Sequence, residues 1–140
     1  MIEFELDIQT RDGVMNTFVT HPEENGPHPL VLFLMDAHGL REELRDMARR
    51  IGTAGFYVLL PNLYYRRRRE FDTTSSSREQ MFEEMNALSN AMVCHDVTAL
   101  IEFAAGETAA ADGKIGCVGY CMSGPFVFCL LYTSPSPRDS

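Results

Sequence analysis

Ile2, Phe4, Leu6 and Ile8 alternate with Glu3, Glu5, Asp7 and Gln9 at the start of the chain. A period of two sends one set to a buried face and the other to water, so residues 2–9 are expected to form a half-buried strand. Asp12-Gly13 then signals a tight hairpin, and "VMNTFVT" returns as a second strand. "HPEENGPHP" is a loop on its Pro, Asn and Gly content. "LVLFLM" (30–35) is continuously apolar, the mark of a strand buried on both faces. From residue 40 the period changes. Leu40, Leu44, Met47, Ala48 and Ile51 fall on one helical stripe, with Arg41, Glu42, Glu43, Arg45, Asp46, Arg49 and Arg50 turned to water. Gly52 and Gly55 suit its end. "FYVLLP" is another buried strand, and "NLYYRRRREFDTTSSS" is a polar loop. Met81, Met85, Leu88 and Met92 take helical spacing, continued by Val97, Leu100, Ile101, Ala104 and Ala105. Asp112-Gly113 turns the chain into "KIGCVGY", a short buried strand.

The order is therefore a β-hairpin followed by β-α-β-α-β. Buried strands that alternate with helices predict an α/β fold: the hairpin, then a mostly parallel sheet with flanking helices. Ligands on such sheets bind at the carboxyl ends of the strands. Those ends are "MDAHGL" after β-strand 30–35, "NLYYR" after residue 61 and "CMSG" after residue 120.

Composition narrows the function. The 140 residues suffice for one domain with a core, and a net charge of -8 gives no basic face for nucleic acid. No apolar run approaches the roughly 18 residues of a membrane span. The acidic, alternating amino terminus is not a signal peptide. Four cysteines in such a chain read as reduced thiols of a cytoplasmic protein. Their spacing fits no zinc site, so neither metal nor cofactor is expected. Oligomeric state cannot be read from the sequence.

In "GCVGYCMSGPF" Cys121 follows an apolar strand, with Gly119 and Ser123 two residues to either side. A nucleophile elbow is so tight that these flanking positions must be small. A helix beginning there points its amino end at the thiol and favours thiolate. The Met122 amide faces the same point and can donate to an oxyanion. Pro125 fits only the first turn of that helix. Against this, cysteine is commonly a buried packing residue. Cys117 reads as core, and its spacing from Cys121 is not that of a redox pair.

Asp36 and His38, in "MDAHGLR", sit at the functional edge of the first buried strand; a helix cap and a surface histidine are the plainer readings. Arg66 to Arg69 read as a solvated loop that helps recruit anionic substrates. Arg66, beside Tyr65, is the member expected to line a substrate pocket.

"GKIGCVGYCMSG", "PLVLFLMDAHGLREELRDMARRIGTAGFYVLLPNLYYR" and Asp96 in "DVTALIEF" together resemble the dienelactone hydrolase family of α/β-hydrolases, over about residues 2–128. The resemblance implies a cysteine nucleophile, no metal, and hydrolysis of a small-molecule ester or lactone. Cys121 matches the nucleophile. Met122 and Ala37 match the backbone amides of the oxyanion hole. Asp36 matches a family glutamate that contacts the resting thiol, and is one methylene shorter. Arg78, in "REQ", lies near the family's arginine for substrate carboxylate. The family order of nucleophile, acid, histidine is not met: Asp139 is the acid after Cys121, and no histidine follows. A non-catalytic small-ligand binding protein of this fold and a thiol redox sensor at Cys121 are the alternatives.

The final stretch, "CLLYTSPSPRD", resembles the translation of a transposase-type sequencing adapter. Residues 1–128 are therefore expected to be the amino-terminal part of one hydrolase domain, and 129–140 a non-native tail that excludes Cys129. On that reading the sequence is incomplete and inactive by itself.

Overall fold

The computed structural model describes residues 1–69 and 77–119. In chain order the elements are β1 (Ile2–Thr10), β2 (Gly13–His21), β3 (His28–Leu34), α1 (Glu42–Thr53), β4 (Tyr57–Pro61), α2 (Arg78–Ala87), α3 (Asn90–Ala105) and β5 (Ala110–Gly119). The five strands form one sheet in the order β1-β2-β4-β3-β5. The β1–β2 and β2–β4 pairs are antiparallel, and β4–β3 and β3–β5 are parallel. This is the expected hairpin joined to a parallel sheet.

Side chains one residue apart on a strand face opposite ways. Glu3, Glu5, Phe18 and Thr20 lie on the face covered by α1: Arg45 and Arg49 bind Glu5 and Glu3, Arg49 stacks 5.3 Å from the Phe18 ring centroid, and Gly52 backs onto Thr20. The register carries Val31, Phe33, Val58 and Leu60 onto the same face. The opposite face holds Thr10, Tyr57, Leu30 and Leu32 against α3 and the turn that follows it, where Tyr57 donates to Glu107 at 3.0 Å. Leu30 to Met35 and Tyr57 to Leu60 are all buried, as continuously apolar strands between two helical layers must be.

Five local details depart from the sequence reading. The hairpin loop is Arg11-Asp12, closed by the Thr10–Gly13 pair; Gly13 opens β2 at φ 143°, a conformation that excludes a side chain. The long helix is two helices. Ser89 breaks it, and its hydroxyl caps α3 by accepting from the Met92 amide at 3.2 Å. Asp112-Gly113 lies within β5, where the β3–β5 register slips between His28 and Leu30, so it is an irregularity and not the lead-in turn. Ile115, Cys117 and Val118 are only half-buried, because β5 stands at the edge of the sheet among the described residues. Arg41, at the N-cap of α1, and Arg45 and Arg49 within it are also less solvated than amphipathic spacing implies, since each is ion-paired.

Candidate active site

The carboxyl ends of β3 and β4 place two loops side by side. The first, after β3, turns immediately. Gly39, at φ 83°, returns its amide to the Asp36 carbonyl at 3.1 Å. The Asp36 carboxylate accepts from the His38 amide at 3.0 Å and from both terminal nitrogens of Arg41, with Nη2–Oδ2 at 3.0 Å. Burial pushes the Asp36 carboxyl up, but the Arg41 hydrogen bonds and charge outweigh it and hold the group below the usual carboxylate range. Asp36 is therefore ionised at neutral pH. Ala37 is buried, and its carbonyl accepts from the Tyr64 hydroxyl at 2.9 Å. His38 is exposed.

The second loop, after β4, is organised by Asn62. Its amide donates to the Asn16 carbonyl at 2.9 Å, its side-chain nitrogen donates to the carbonyls of Arg68 and Arg69, and its side-chain oxygen accepts from the Tyr64 amide at 3.0 Å. Asn62 to Tyr65 are buried, so the polar loop expected here begins with a packed turn. The arginine run is not a free cationic patch. Arg66 binds the fully buried Asp96 through two nitrogens, at 2.9 and 2.8 Å, and reaches Asp12 at 2.8 Å. Arg67 and Arg68 share the buried Glu84, and Arg69 binds Asp7 at 2.7 Å. These acids come from β1, the hairpin turn, α2 and α3, so no local reading of "RRRR" could find them.

Tyr65 shares its hydroxyl between Thr10, at 2.6 Å, and Asp96, at 2.8 Å, with the Arg66 guanidinium 4.7 Å from its ring centroid. Burial is the largest influence on its phenol, which is pushed up to about 12. Burial likewise holds the Asp96 carboxyl above its usual value, against the pull of Arg66 and Tyr65.

The structure thus brings Asp36, Ala37 and Tyr64 together at one loop junction, and Tyr65 and Arg66 at another. Arg78 opens α2 in an exposed position, its guanidinium 5.5 Å from the Phe82 ring centroid. Cys121 and Met122 lie outside the described residues. Cys117 is half-buried, and burial pushes its thiol up to about 11, so it stays protonated at neutral pH. Sequence reasoning missed Arg41, Asn62, Tyr64 and Glu84. Asn62 carried a signal, since an Asn just beyond a strand commonly bonds the backbone two residues on. Among the described residues no cluster of three His, Cys, Asp or Glu could hold a metal, and no helix is long and apolar enough to cross a membrane.

Residues 15–136 match the dienelactone hydrolase family. The chain belongs to that family. Among curated family relatives, a protein of Methylorubrum extorquens provisionally named a carboxymethylenebutenolidase is 29% identical over 137 residues, covering 98% of this chain and 46% of its own length. The carboxymethylenebutenolidase of Pseudomonas putida is 25% identical over 126 residues, covering 88% of this chain and 53% of its own. The chain spans about half the length of the curated relatives it matches. A solved structure from Klebsiella pneumoniae, provisionally called a dienelactone hydrolase, superposes with a TM-score of 0.76 at 24% identity, over 86% of this chain and 50% of that one. The fold is therefore that of dienelactone hydrolases.

Asp36 makes the first loop pH-sensitive. A carboxyl held below its free value stabilises the fold above about pH 3.9 and loses that contribution as pH falls through the folded value. Asp36→Asn is expected to cost about 1–2 kcal/mol of unfolding free energy at neutral pH. The difference from wild type should shrink once both side chains are uncharged. Urea titrations at neutral pH and below about pH 3 check this; an equal loss in both contradicts it.

Proposed function

We propose that the protein hydrolyses a small-molecule carboxylic ester or lactone through Cys121. The Cys121 sulfur, as thiolate, attacks the carbonyl carbon. The carbonyl electron pair moves to oxygen, where the amides of Met122 and Ala37 stabilise it, and collapse expels the alkoxide or enolate. Water then cleaves the thioester and restores the thiol. No histidine follows Cys121 in these 140 residues, so the groups assigned are the nucleophile and the oxyanion donors.

One observation carries the reading. In the loop after β3 the Ala37 carbonyl and the amides of His38 and Gly39 are all bonded, yet among the described residues nothing accepts from the amide of Ala37, itself a buried residue. A buried donor left open costs stability unless something occupies it, and a substrate oxyanion is a suitable occupant. Asp36, the residue before Ala37, is assigned to contact the resting thiol, where its negative charge opposes premature thiolate formation. Arg78, stacked on Phe82, has no carboxylate partner among the described residues, which suits it to a substrate carboxylate. Arg66, whose nitrogens are engaged by Asp96 and Asp12, shares a small cavity with Tyr64 and is assigned to line the substrate pocket, with Tyr65 stacked against it. Lactones and esters bearing a carboxylate are the matching class.

The test is mass spectrometry of the protein after exposure to an activated aryl ester, with iodoacetamide as competitor. Acyl transfer to Cys121, lost in Cys121→Ala and blocked by alkylation, is the expected result. A thiol that never acylates but oxidises reversibly would instead make the protein a redox sensor.

A further inference from the structure

We propose that Tyr64 is a positioning residue for the oxyanion site, its hydroxyl holding the Ala37–His38 peptide so that the neighbouring Ala37 amide is fixed in direction. This rests on the reading of Ala37 as an oxyanion donor.

The constraint is double. From one side the Tyr64 hydroxyl donates to the Ala37 carbonyl at 2.9 Å, over a sequence distance of 27 residues. From the other, the amide of the same peptide, that of His38, is held by the Asp36 carboxylate, itself clamped by Arg41. The preceding peptide is held through its carbonyl by Gly39. With these anchors in place, the Ala37 N–H has one orientation. Tyr64 can serve as the anchor because it is itself fixed. It is buried, and its own amide is taken by Asn62. Two residues on, the loop is tied down by Arg66 to Asp96, and beyond that by Arg67 and Arg68 to Glu84, whose carboxylate is buried in α2. Burial, with the charges of Glu84 and Asp36 behind it, keeps the Tyr64 phenol protonated, so it remains a donor across the whole working pH range. The loop after β4 thereby sets the geometry of the loop after β3.

The experiment compares wild type with Tyr64→Phe, which removes the hydroxyl alone, and with Tyr57→Phe, which removes a buried hydroxyl on Glu107 far from both loops. The 140-residue chain is labelled with 15N-alanine, and the Ala37 amide resonance is followed. It is then titrated with an aryl trifluoromethyl ketone by 19F NMR. The Cys121 sulfur bonds to the ketone carbon, the carbonyl pair becomes an oxyanion, and the thiol proton goes to solvent. Tyr64→Phe should shift or broaden the Ala37 resonance and weaken ketone capture by roughly tenfold, while Tyr57→Phe changes neither. Undiminished capture with an unmoved Ala37 resonance in Tyr64→Phe overturns the positioning role and leaves the hydrolase reading intact. If the wild-type chain captures no ketone, Cys121 is not a competent nucleophile within these 140 residues, and the Ala37 resonance alone decides Tyr64: a shift specific to Tyr64→Phe upholds the anchoring, and none refutes it.

Discussion

Replacing Asp96 by alanine is expected to lower the free energy of unfolding by about 3 kcal/mol, near the lower end of the range for breaking one side of a buried ion pair. Asp96 has no exposed surface, and its two oxygens accept from Arg66 Nη1, Arg66 Nη2 and the Tyr65 hydroxyl. Removing it leaves a guanidinium that is only 12% exposed without its main partner. The loss stays near 3 and not 5 because Arg66 retains Asp12, and Tyr65 retains Thr10. The same logic predicts strong non-additivity. Arg66→Ala alone strands a buried carboxylate, whereas Asp96→Ala with Arg66→Ala strands neither charge, so the double variant should lose less than the two singles summed. Urea denaturation of the three variants checks both statements. A loss below about 1 kcal/mol in Asp96→Ala, the value of an ordinary surface pair, would show that the network adds nothing.

That network also marks where the sequence stops being legible. Strands and α1 could be read because their signals are local: alternation in Ile2 to Gln9, unbroken apolar runs at 30–35 and 56–61, and a helical stripe from Leu40. The break at Ser89 could not be read from hydrophobic spacing, because Met85, Leu88 and Met92 keep helical intervals straight across it. Only the capping serine, three residues before Met92, betrays it. Ion pairs are a different matter. Arg69 meets Asp7 and Arg66 meets Asp96 across the fold, and charge pattern within a segment says nothing about a partner supplied by another element. Run together in sequence, four arginines look like a solvated patch; folded, each is paired with a carboxylate, Arg67 and Arg68 sharing Glu84. At the candidate site, the end of the first buried strand was enough to single out Asp36, and the family resemblance added Ala37. It could not reveal that Arg41 takes the Asp36 carboxylate or that Tyr64 takes the Ala37 carbonyl, since both facts depend on how two loops meet.

The reading of β3 as buried on both faces has a sharper consequence. Leu32→Ala is expected to cost about 2–5 kcal/mol and Phe33→Ala about 3–5 kcal/mol. The two residues are adjacent and point to opposite sides of the sheet. Leu32 lies in register with Leu59 and Cys117 on the α3 side, and Phe33 lies level with Val118 on the α1 side. Both are essentially inaccessible to solvent, so each truncation opens a cavity that close-packed neighbours cannot fill. A strand with one wet face would give a different result: one of two adjacent truncations would be nearly silent. The internal standard is β1, whose Phe4 is 37% exposed; Phe4→Ala should lose well under half of either value. Thermal or urea melts of the three variants decide it. If only one of Leu32 and Phe33 is costly, one helical layer does not cover β3. In that case the loop carrying Ala37, which leaves the end of this strand, is not held on a rigid base.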